Sequence, residues 1–247
     1  MNVEGIKFGL REIKRDFKRI LDDNTVSVID EAVTRLESTK AQFETRRNQS
    51  HDPRLSPKPW GYWIDPNYPL RFEPRKIRGI NLWVDVYCRV FWEEEGALPV
   101  EQCIHLRVWS DEIDYIYRED WDSEDVFDRL TERGRVMFRC HFDLADLGQL
   151  GPEYHLQFGG NPQSDELCWL PEFMNLPRLP YPPVDLLLVC QLIAANFYWD
   201  EYAEFRETPE WRHALRRSQQ YLLEDYYQGC LSALKEDLLV DHLWNQS

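Results

Sequence analysis

The sequence predicts an α+β fold: an N-terminal helical hairpin, a central antiparallel sheet of four or five strands, and C-terminal helices packed on the apolar face of that sheet. Three observations predict it. Apolar residues recur at three- and four-residue steps near the N-terminus, they alternate with polar residues in four segments between 80 and 158, and helix-start signals return after Pro182-Pro183. With 247 residues, 43% of them hydrophobic, the chain is long and apolar enough to bury a core without disulfides or metals.

Val3, Ile6, Leu10, Ile13, Phe17 and Ile20 mark one face of an amphipathic helix over residues 3–21. After Asp22-Asp23-Asn24, the residues Val26, Ile29, Val33, Leu36 and Phe43 carry a second helix to about Arg46, which folds back on the first. Lys7, Arg11, Lys14, Arg15, Lys18 and Arg19 make a basic helix face, read as solvated surface. From Asn48 to Pro74, six prolines exclude a helix or a central strand, while Trp60, Tyr62, Trp63, Tyr68 and Phe72 require packing. An ordered, extended connection is expected there.

The alternating segments are four strands. Ile80, Leu82, Val84, Val86, Cys88, Val90 and Trp92 share one face of the first, and Ile104, Leu106 and Val108 one face of the second. Val136, Phe138, Cys140 and Phe142 do the same in the third, and Tyr154, Leu156 and Phe158 in the fourth. Strict alternation predicts an antiparallel sheet with one dry and one wet face. Glu93 to Pro99 and Gly148 to Pro152 are short enough to close hairpins, and Ser123 begins a short helix running to about Glu132. Further helices are expected from Val184 to Tyr202, from Thr208-Pro209 to Tyr227, and from Leu231 to Leu243 after Gly229. The organisation read from these elements is a helical hairpin over 1–48, a proline- and aromatic-rich connection over 49–77, the sheet region over 78–170 and a helical region over 171–247. Residues 48–247 are expected to form one compact domain.

Forty-four acidic against twenty-nine basic residues give a formal charge of −15, the wrong sign for general nucleic-acid binding. The N-terminus lacks the apolar run of a secretory signal, and the most apolar stretch, Val184 to Trp199, is too short and too polar to span a bilayer. Six cysteines stand singly, with no C-x-x-C pair, and read as reduced thiols. A cytoplasmic protein without membrane association is expected.

No P-loop, G-x-S-x-G elbow, H-E-x-x-H pair or EF-hand loop is present, so no cofactor and no metal site is assigned from motifs. Ser110 to Asp128 holds nine carboxylates in nineteen residues with aromatic residues between them. Asp111, Glu112, Asp114, Asp120, Trp121 and Asp122 are the candidate surface for a protein partner, one carrying basic charge. The leading expectation is therefore a non-enzymatic intracellular interaction or accessory subunit. The alternative is a hydrolase or small-ligand sensor on the polar face of the sheet. There, strand phase collects His141, Asp143 and Arg139 from the third strand, His155 from the fourth and His105 from the second. Two imidazoles beside a carboxylate suit a divalent metal or general-base chemistry, with an arginine to steady an anion. Cys103 and His105, about 7 Å apart along a strand, make a weak nucleophile pair.

Overall fold

A computed structural model describes residues 2–49, 58–77, 79–110, 135–145, 152–158 and 178–236, together with 239 and 243. Helix α1 (Val3–Asp16) starts at Asn2, whose side chain accepts from the Gly5 amide at 2.9 Å, and closes well before residue 21. A 3₁₀ turn at Asp23–Thr25 leads into α2 (Val26–Gln49). Asp22 nucleates that turn by accepting from the Asn24 amide at 2.8 Å.

Among the described residues seven strands follow, where four or five were expected: β1 (Trp60–Ile64), β2 (Leu70–Ile77), β3 (Ile80–Trp92), β4 (Glu101–Ser110), β5 (Arg135–Leu144), β6 (Tyr154–Phe158) and β7 (Leu179–Pro180). All pairings are antiparallel, in the order β1-β3-β4-β5-β6-β7, with β2 also on β3. The additional strands are at the edges. β1 pairs with residues 88–92 of β3 and β2 with residues 80–86, so the two form one interrupted edge strand whose excursion, residues 65–69, stands opposite Tyr87 alone. Asp65 folds the excursion by accepting from the Asn67 amide at 2.8 Å. Pro74 falls where the register of β2 shifts between Phe72 and Arg75, the position at which a missing N–H costs least. The proline-rich connection thus contains strand, though no central strand.

Beyond β7, α3 (Leu186–Phe197) and α4 (Trp199–Phe205) meet at Tyr198, which divides the single helix expected over this stretch. Helix α5 (Pro209–Lys235) runs through Gly229, where a break was expected, and Thr208 makes no side-chain cap. The expected helix over 123–132 and the turn residues 148–151 lie outside the described residues. Helices from both ends of the chain share one apolar cluster with the sheet: Ile13, Phe17, Leu36, Val86, Ile104, Cys190 and Trp211 are all members. Trp60, in the connection whose aromatic residues were expected to pack, is fully buried in β1 and stacks on Trp92 at 5.3 Å. Phe138, on the same face of β5, is 36% exposed and meets Phe158 edge-on. Among the described residues, no helix is long and apolar enough to cross a membrane.

Candidate functional site

The pairing register arranges the other face of the sheet in three rows. Arg89, Cys103, Asp143 and His155 form the first, and Tyr87, His105, His141 and Gln157 the second. Arg71, Asp85, Arg107 and Arg139 form the third. The five residues expected to share this face do share it, and β4 joins the β5–β6 pair to the rest. The expectation of a wet face fails. Asp85 is 0% exposed, His155 1%, Arg139 3% and His141 8%. Alternation fixes which way a side chain points; it does not say whether water reaches it.

His141, Asp143 and His155 form the tightest polar group on the face. Nε2 of each histidine lies 4.0 Å from Oδ2 of Asp143, and one donor atom from each of the three residues lies within 4.8 Å of the others. Both ring nitrogens of His155, and Nδ1 of His141, are buried without a hydrogen-bond partner. The backbone of Pro152 and Glu153 lies close enough to His155 to favour its protonated form, an effect that burial outweighs. Burial depresses the pKa of His141 to about 4, helped by the neighbouring His155 and the Arg139 charge. Burial lowers His155 as well, with Arg178 adding to the effect. Both imidazoles are therefore neutral at pH 7, the form that ligates metals.

His105 stacks on Tyr87 with ring centroids 4.5 Å apart and tilts toward His141 at 5.4 Å. Burial and the charges around it push His105 down to about 3. Its Nε2 sits 3.0 Å from Cys103 Sγ. The side chains thus converge where backbone spacing alone argues against contact. The contact does not activate the thiol: burial first, then the Asp143 carboxylate, raises Cys103 far above the ordinary thiol range. Burial favours the neutral thiol of Cys103 and works against a thiolate nucleophile there.

In the third row, Asp85 accepts from Arg71 Nε at 2.8 Å and Nη2 at 3.2 Å, from Arg107 Nη2 at 2.7 Å and from Trp109 Nε1 at 3.0 Å. One of these bonds reaches Oδ1 and three reach Oδ2. Arg71 joins this network from a segment not read as strand, because the prolines around β2 hid its phase. Leu70 and Phe72, flanking it on the apolar face, were the available signal. The acidic surface formed by Asp111, Glu112, Asp114, Asp120, Trp121 and Asp122 lies outside the described residues.

No protein-family model, curated protein or solved structure matches the chain. Function is argued from the site itself.

Proposed function

We propose that this protein holds a divalent transition-metal ion at His141, Asp143 and His155 and uses it for hydrolysis. The observation that carries the reading is His155: an imidazole removed from water, with neither nitrogen hydrogen-bonded, beside a carboxylate that faces a second imidazole. Buried nitrogens are rarely left unsatisfied without a role. The donor set fits the ion. Three atoms no more than 4.8 Å apart have a common centre within about 2.8 Å of each, so closing to the zinc range of about 2.0–2.2 Å asks each donor to move roughly 0.7 Å. Two imidazoles and one carboxylate suit a borderline cation.

Three protein ligands leave coordination positions for water and substrate, as in catalytic rather than structural metal sites. A metal in such a site supplies a hydroxide nucleophile near neutral pH, which answers the absence of an activated thiol on this face. The accessory-subunit reading rests on Asp111 to Asp122, outside the described residues, and draws nothing from this geometry.

The test is metal analysis of the purified, dialysed protein with cobalt(II) substitution as a spectroscopic check. One equivalent of metal and a ligand-field absorption band are expected, both lost in His155→Gln and Asp143→Asn while near-UV circular dichroism is retained. Wild-type protein that takes up less than a tenth of an equivalent from excess zinc and excess cobalt overturns the reading.

A further inference from the structure

We infer that the ligand taken on this face is a small molecule bearing an oxyanion, carboxylate or phosphate-like, and that the Arg139 guanidinium receives it. The inference rests on reading the polar face as a site and names the substrate class. Arg139 is 3% exposed, its Nε is buried without an acceptor, and it makes no hydrogen bond or ion pair among the described residues. A buried guanidinium without a counter-charge is costly, and buried charges are ordinarily paired.

The nearest row offers it nothing. Asp85 already accepts from Arg71, Arg107 and Trp109 and makes no bond to Arg139 among the described residues. The residue directly across the ladder is Arg107, a like charge that raises the cost. Asp143 stands four residues along the same strand, beside the histidines. His141, between Arg139 and Asp143 on that face, brings no negative charge. A divalent ion at Asp143 would make the face still more positive. An anion received at Arg139 would offset that positive charge, and guanidinium is the group whose paired donors match carboxylate and phosphate oxygens.

The experiment is calorimetric titration of sulfate and, separately, acetate into the full-length protein, chelator-treated and zinc-loaded, for wild type, Arg139→Lys and Arg139→Met. The expected result is saturable 1:1 binding of at least one anion, at least tenfold weaker in Arg139→Met and intermediate in Arg139→Lys. The two anions separate a tetrahedral from a planar preference. Thermal melts supply a readout that a structural arginine would move the other way. Without added anion, Arg139→Met melts at or above the wild-type temperature, because an uncompensated charge has been removed, and added anion raises the melting temperature of wild type only. Stoichiometric zinc uptake with no anion binding, or with binding unchanged in Arg139→Met, overturns the inference and leaves the metal reading standing. Arg139-dependent anion binding in a protein that takes up no metal does the reverse. A fall in the anion-free melting temperature of Arg139→Met, without any effect of anion on wild type, also overturns it by showing Arg139 to be structural.

Discussion

Replacing Asp85 by Asn is the perturbation most informative about how this face holds together. The carboxylate is 0% exposed and accepts four hydrogen bonds, three of them from guanidinium groups. Asparagine keeps the shape but turns one acceptor oxygen into a donor that faces other donors, and it removes the only charge opposing Arg71 and Arg107 in that row. Removing one partner of a buried ion pair costs about 3–5 kcal/mol. The side chain of Arg71 is 29% exposed and regains water, whereas that of Arg107, at 12%, has less access to it. The low end applies, about 3 kcal/mol, which for a chain of this size lowers Tm by about 6–12 °C. The assay is urea unfolding followed by tryptophan fluorescence, with Trp109 itself a reporter of the network. Arg71→Met in the Asp85→Asn background should recover part of the loss, a coupling of about 1 kcal/mol or more. A destabilisation under 1 kcal/mol at unchanged m-value would refute the claim that Asp85 is the electrostatic centre of the face.

Two further outcomes follow from packing and burial elsewhere. Gly61→Ala puts a methyl group into the Val90 carbonyl oxygen and within 2.7 Å of Phe91 Cα, both backbone, so β1 must separate from β3; a loss of about 3 kcal/mol or more is expected, with faster amide exchange in β1. Asp185 caps α3 by accepting from the Leu188 amide at 2.9 Å and also accepts from the Ser218 hydroxyl. Burial pushes its pKa up against those two bonds, so the folded state holds the proton more tightly than the unfolded state. That contribution is complete below the unfolded value near 4 and fades as pH rises through the folded value. Asp185→Asn, an equivalent cap, should lie within about 1 kcal/mol of wild type at pH 4, with the difference moving in favour of the variant toward pH 7 in paired urea titrations.

The fold was legible where one period dominates. Ile6, Leu10 and Ile13 announce α1, and the even positions of β3 announce a sheet with one apolar face. Boundaries slipped where tertiary packing overrides local preference. Gly229 looks like a stop, yet α5 continues through it to Lys235, since a single glycine weakens a long helix by only about 1 kcal/mol. The edge strands were hidden by Pro66, Pro69 and Pro74. Two of these prolines lie in the excursion opposite Tyr87 and the third at the register shift, so none interrupts a ladder bond that the sheet requires.

The membership of the site was legible for the same reason, because strand phase alone groups His105, Arg139, His141, Asp143 and His155. Its burial was not, since a histidine at an odd position looks the same whether water or protein lies above it. A signal for burial was nevertheless present in the charge bias. In a chain with 44 acidic and 29 basic residues, a solvated face should sample the acidic excess, yet one row of this face carries Arg71, Arg107 and Arg139 with Asp85 as its single carboxylate. Local charge running against the global charge is expected where a protein holds an anion, and rarely where it only meets water. Arg139 pairs with no carboxylate among the described residues, so it is the residue at which the proposed anion binding and the stability of the face can be measured in one variant.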